Sequence, residues 1–124
     1  FIVIGLALVI FHHDAGLIGQ RGPEKVYNRG TYLQRQGLQE EAISRFDQAI
    51  RVDPRYADAY NNRGIAYQHL GQYGRAIQDY DEVIKLSPQL AGAYNNRGGI
   101  YASLGQTANA KADRDNWTSN TAST

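Results

Sequence analysis

The chain repeats itself every 34 residues, and that period governs what it can fold into. Residues 57–72 read ADAYNNRGIAYQHLGQ and residues 91–106 read AGAYNNRGGIYASLGQ. Eleven of these sixteen positions are identical. A further step back of 34 gives PEKVYNRGTYLQRQGL from Pro23, which keeps Asn28, Arg29, Gly30 and Gly37. The prolines obey the same frame. Pro54 and Pro88 are 34 apart and close two units, and Pro23 opens the first.

Each unit divides into two stretches with the one-face spacing of an amphipathic helix. In the first stretch Val26, Gly30 and Leu33 stand at i, i+4 and i+7, as do Tyr60, Gly64 and Tyr67. In the second, Ala42, Phe46 and Ala49 share that spacing with Ala76, Tyr80 and Val83. Gly37, Gly71 and Gly105 fall between the stretches, where a left-handed glycine stops a helix. Asp53-Pro54 and Ser87-Pro88 end the second stretches, since a residue before proline leaves the helical region. The pattern predicts helices over 24–36, 40–52, 58–70, 74–86 and 92–104, with a weaker one near 108–117. Asp47 with Arg51, and Asp81 with Lys85, are expected as i, i+4 ion pairs. Gly30, Gly64 and Gly98 lie inside helices, where glycine costs roughly 1 kcal/mol against alanine. Close approach of the paired helix is the expected reason, with Ala42, Ala76 and Ala110 as small partners.

Tyr60, Gly64, Tyr67, Leu70, Gly71, Tyr73, Ala76, Tyr80 and Pro88 of the middle unit resemble the tetratricopeptide-repeat (TPR) family. The Y-N-N-R-G…A-I-x-D-Y wording is similar to a subtype common in bacterial members. The resemblance runs from residue 23 to about 120. It implies an all-α, right-handed superhelical solenoid of three helix-turn-helix units, at about 23–56, 57–90 and 91–120. These form a domain over 23–124, after an apolar segment and linker over 1–22. Val26, Leu33, Gln36 and Gln39 depart from the family pattern in the first unit. The third departs more, in its second helix.

In the family the first helix of each pair lines a concave groove that accepts a peptide or helix of a partner protein. Carried over, the groove row is Tyr27, Asn28, Thr31 and Arg35, then Asn61, Asn62, Ile65 and His69, then Asn95, Asn96, Gly99 and Ser103. Asn28, Asn62 and Asn96 recur in register. An amide offers both donor and acceptor, so three of them can clamp an extended peptide backbone. They can equally be surface residues that serve repeat geometry. Of the family's carboxylate clamp only Asn62 matches. Tyr27, Thr31, Gly92 and Asn96 stand at its other positions, which argues against a chaperone-tail binder. Arg29, Arg63 and Arg97 also recur at 34. Asp79 and Asp113 follow Arg63 and Arg97 by sixteen, so a structural Arg–Asp link across each helix pair is expected. Arg45 takes the aspartate's place in the first unit, where no such link can form.

The remaining features mostly exclude. Thirteen Lys and Arg against twelve Asp and Glu leave no general attraction for nucleic acid. Without cysteine there is no disulfide framework and no thiolate metal site. The sequence has no glycine-rich phosphate loop and no nucleophile–base–orienter set, so neither enzyme chemistry nor a small-molecule substrate or cofactor is expected. His12, His13 and Asp14 point apart on a helix and read as boundary residues rather than metal ligands.

The chain has no methionine, even at residue 1, and reads as processed or as a piece of something longer. Its first eleven residues include Phe1, Ile2, Val3, Ile4, Leu6, Leu8, Val9, Ile10 and Phe11. Eleven apolar residues are too few to span a bilayer, which takes about twenty. They are expected to be the end of a membrane anchor or signal sequence, or a helix packed on the first unit. An anchor would hold the repeats on the periplasmic side of a bacterial inner membrane; a soluble protein is the alternative. At the other end Lys111 and Arg114 replace apolar residues, as a capping repeat requires. Trp117 either covers the open end of the stack or waits there for a partner. Residues 118–124 are expected to be a disordered tail. The expected function is a non-catalytic, membrane-tethered scaffold that binds a partner protein in its groove. A structural or assembly subunit of a membrane complex is the alternative.

Overall fold

The computed structural model describes residues 22–122, where every regular element is a helix. These are α1 (Pro23–Arg35), α2 (Gln39–Val52), α3 (Ala57–His69), α4 (Tyr73–Leu86), α5 (Ala91–Ser103) and α6 (Thr107–Ala122). The first five keep within one residue of the bounds that periodicity predicts. Pro23 opens α1 at a position where its missing N–H costs nothing. Gly37, Gly71 and Gly105 take φ of +80°, +73° and +74°, the left-handed stop expected of them. At each, the next residue's N–H returns to a carbonyl of the preceding helix: Leu38 to Leu33, Gln72 to Tyr67 and Gln106 to Tyr101. Asp53 and Ser87 are pulled towards extended backbone ahead of their prolines, at φ −135° and −143°.

Helices pair as α1 with α2, α3 with α4 and α5 with α6, and each pair packs on the next through α2–α3 and α4–α5. Direct contacts also join α1 to α3 and α3 to α5. The first helices therefore crowd together and form the inner side of the curve. This is the all-α solenoid that the repeat implies.

The core follows the second-helix stripes closely: Ala42, Phe46, Ala49, Ala76, Tyr80 and Val83 are fully buried. In α1 the buried residues are Val26, Gly30 and Leu33, as predicted. In α3 they are Ala59, Gly64 and Ala66, and Tyr60 and Tyr67 are only half-buried. The difference is physical. Helix α1 has one neighbour pair to face, whereas α3 lies between the pair before it and its own partner. Ala59 accordingly packs with Val26 and Ala49 of the first unit. Tyr60 and Tyr67 flank the Arg63 guanidinium instead, with ring centres 5.5 and 5.9 Å from its carbon.

The reason for the helix-interior glycines also differs from expectation. A Cβ at Gly30 would come within 2.6 Å of the Phe46 ring, and one at Gly64 within 2.8 Å of the Tyr80 ring. Glycine there makes room for an aromatic side chain, not for a bare helix backbone. Only Gly98 meets the paired helix itself, 3.0 Å from the Asp113 Cβ and 3.6 Å from the Ala110 carbonyl oxygen.

Helix α6 overturns the expectation of a disordered tail, because it continues to Ala122. The Thr118 and Thr121 hydroxyls donate back to carbonyls three and four residues earlier. Asn120 Nδ2 donates to the Pro88 carbonyl at 3.2 Å, tying the end of α6 to the α4–α5 turn. The capping character of the last unit is visible: Lys111 and Arg114 are exposed, and α6 buries only Ala110 and Asp113. Trp117 keeps 37% of its surface exposed where Ala49 and Val83 have none. Phe1 to Phe11, the stretch expected to meet a membrane, lie outside the described residues, as do His12, His13 and Asp14. Among the described residues no helix is long and apolar enough to cross a membrane, and no cluster of three or more potential metal ligands occurs.

Candidate functional site

The candidate groove runs along the exposed faces of α1, α3 and α5. Tyr27 and Thr31 of α1 are half-buried, and Asn28 and Arg35 are exposed. Asn61, Asn62 and Ile65 of α3 are half-buried, and His69 is exposed. On α5, Asn96 is half-buried, and Asn95, Gly99 and Ser103 are exposed. The surface thus deepens at the junction of the first two units and opens towards the third.

That junction is polar and already organised. Asn62 Nδ2 donates to the Tyr27 hydroxyl at 2.9 Å. Gln34 Nε2 donates to the Asn62 backbone carbonyl at 2.9 Å. The Tyr27 ring is held from below by Phe46 and Tyr56, with ring centres 5.9 and 5.1 Å away. Burial, followed by the nearby Asp58 charge, pushes the Tyr27 hydroxyl above its ordinary pKa, against the hydrogen bond from Asn62. The phenol therefore keeps its proton at neutral pH and can offer it to a guest acceptor. The Asn61 side-chain oxygen is buried without a hydrogen-bond partner. Ile65 leans on the Ala76, Tyr80 and Ile100 cluster. Tyr27 and Ile65 therefore pack on the core and keep part of their surface on the candidate groove face. The three ladder residues are not equivalent, since Asn62 spends one donor within the protein. On the outer walls, Thr31 Oγ1 and Ser103 Oγ donate to the carbonyls of Asn28 and Gly99 in their own helices.

Beneath the groove the arginines work as expected, and further. Arg63 Nε and Nη2 donate to the two oxygens of Asp79 at 2.9 and 2.6 Å. Arg97 does the same to Asp113 at 2.9 and 2.7 Å. Each arginine also spends its other terminal nitrogen on the preceding unit, Arg63 on Asp47 and Arg97 on Asp81, both at 2.7 Å. Asp47 and Asp81 are therefore committed to links between units. The i, i+4 pairs expected for them do not form, because a half-buried guanidinium with its donors in place outcompetes a solvated chain end. Lys85 turns to Glu82 instead, at 2.9 Å. Sequence reading missed these links, although the signal was present: Asp47 precedes Arg63 by the same sixteen residues that separate Arg63 from Asp79. Burial works against the Arg63 charge, but Asp79 and then Asp47 outweigh it and push its pKa up. In the first unit Arg29 lies over the Tyr32 ring at 5.2 Å, and Arg45 bonds Gln48. The Arg63 and Arg97 links join helices within and between units, whereas the two first-unit contacts each stay within one helix.

The comparisons agree with this architecture. The tetratricopeptide-repeat family profile matches residues 27–91 and 67–113, and the chain belongs to that family. Its fold is that of a protein-interaction scaffold. The crystal structure of MamA superposes with a TM-score of 0.81 at 25% identity, covering 82% of this chain and 60% of that one. This chain therefore spans about 60% of MamA's length. The first TPR domain of Spaghetti, bound to the HSP90 peptide SRMEEVD, gives 0.78 at 24% identity, covering 81% of this chain and 79% of that one. The second Spaghetti TPR domain, bound to the same peptide, gives 0.76 at 26% identity, covering 81% and 93%. No curated protein matches the sequence.

Proposed function

We propose that the protein is a non-catalytic scaffold that binds an extended peptide or a helix of a partner protein along α1, α3 and α5. The observation that carries this reading is the junction at Asn62. Tyr27, Asn62 and Gln34 form a hydrogen-bonded polar set between α1 and α3, and Asn28 and Asn96 stand in register one repeat away on either side. Amide and phenol groups held in place offer donors and acceptors to a peptide backbone at little ordering cost. Peptide binding by both Spaghetti domains supports the same use of the fold. The guest differs in kind from an acidic chaperone tail, because no lysine or arginine stands at Tyr27, Gly92 or Asn96 to grip a terminal carboxylate. The apolar run from Phe1 to Phe11 supports a membrane tether for the scaffold.

The test is affinity capture of the full chain from detergent-solubilised cells, beside a variant carrying Asn28→Ala, Asn62→Ala and Asn96→Ala. The variant should stay helical by circular dichroism and lose the wild type's partners. Retention of those partners by the folded variant would remove the groove from consideration.

A further inference from the structure

The third unit carries a slot and lacks the buried ring that the first two units place between their helices. In the first unit the Phe46 ring lies over Gly30, and in the second the Tyr80 ring lies over Gly64, both rings fully buried. The corresponding residue of the third unit is Arg114, which is exposed and places no ring over Gly98. A slot of about 180 Å³ opens there, walled by Tyr94, Gly98, Gly99, Ala102, Ala110 and Arg114. Two smaller residues of α5, Gly99 of the groove row and Ala102 beside it, widen it. Gly99 replaces Ile65, which leans on Tyr80 in the second unit, and Ala102 replaces Gln68, which accepts the Tyr80 hydroxyl. A buried cavity of about 150 Å³ is enough to hold benzene.

We propose that this slot receives a phenylalanine side chain of the partner segment that lies in the groove; the inference rests on the groove reading above. Three observations choose the guest. The slot lies where the two preceding units place an aromatic residue, Phe46 and Tyr80, although α6 itself covers the Gly98 face through the Asp113 Cβ and the Ala110 carbonyl. Ala102 removes the acceptor that satisfies a phenol in the second unit, so a ring without a hydroxyl fits better. Arg114 has no ion-pair partner among the described residues and stands on the slot wall, so a carboxylate beside the ring is favoured. The partner motif is thus a phenylalanine flanked by aspartate or glutamate. Asn95, also on the slot wall, connects the slot to the groove row.

The experiment uses the full chain and a nine-residue peptide with one phenylalanine between two aspartates. The same peptide with alanine at the centre, and one with lysines as flanks, serve as controls. Backbone amide shifts of Gly98, Gly99 and Ala102 report the slot, and those of Asn62 and Asn96 report the groove. The phenylalanine peptide should move the slot amides and bind about tenfold tighter than its alanine counterpart. The lysine-flanked peptide should be weaker. Gly99→Ile, whose Cβ meets nothing within 4 Å, should abolish the preference for phenylalanine. Arg114→Phe should abolish it too and raise the thermal midpoint, because the chain then fills its own socket. Equal binding of the phenylalanine and alanine peptides overturns the socket; if Asn62 and Asn96 still shift, the groove reading stands without it. Slot amides that stay still with every peptide, or a lower midpoint for Arg114→Phe, also overturn it.

Discussion

Arg63 and Arg97 each bond two carboxylates, and the partners differ in burial. The Asp79 and Asp113 side chains are 5% and 3% exposed, whereas those of Asp47 and Asp81 are 37% and 42% exposed. A buried carboxylate stripped of its cation is costly, and an exposed one rehydrates. Arg63→Ala should therefore destabilise the protein by about 3 kcal/mol in urea unfolding, from the loss of the buried pair. Asp47→Ala should cost under about 1 kcal/mol. Equal effects would mean that the link between units matters as much as the one within. The inner half of this network is legible in the sequence, because Arg and Asp recur together at the unit period. The outer half is obscured by a local competitor: Arg51 and Lys85 stand four residues from the same aspartates, a spacing that ordinarily pairs. Which partner an aspartate takes depends on which cation is half-buried, and burial comes only with tertiary packing.

Among the helices, the glycine positions separate into two kinds. Gly64 lies against the fully buried Tyr80 ring, which cannot move aside cheaply. Gly64→Ala should cost about 1–2 kcal/mol in spite of alanine's better helix propensity. Gly99 faces open space, and Gly99→Ala should stabilise by roughly 0.5–1 kcal/mol. Thermal melts of the two variants should move in opposite directions. Helix α6 buries the fewest residues, Ala110 and Asp113, and its far end is tied by the Asn120 bond to Pro88. Its amides should exchange with deuterium faster than those of α2 and α4, which anchor Phe46 and Tyr80. Protection of α6 equal to that of α4 would show that its polar face is well bound. The helices themselves are readable from the spacing of apolar residues, glycines and prolines. The far end of α6 is not, because after Trp117 it carries no large apolar residue, and the Thr118 and Thr121 hydroxyls and the Asn120 amide donate to backbone carbonyls.

At the scale of the whole molecule, the stacking of units brings α1, α3 and α5 side by side, and the repeat marks which positions of successive units correspond. It does not mark their state. Periodicity cannot show that Asn62 is tied to Tyr27, or that the ring missing at Arg114 leaves a slot, since both depend on how one unit seats on another. The central claim is that the partner lies along the inner face. Its most direct test is photo-crosslinking in cells, with p-benzoylphenylalanine introduced in place of Asn96 on the inner row and, separately, of Lys85 on the outer helix α4. Crosslinks to a partner protein should form from position 96 and not from position 85. Crosslinks from position 85 alone would place the partner on the outer face and contradict the account.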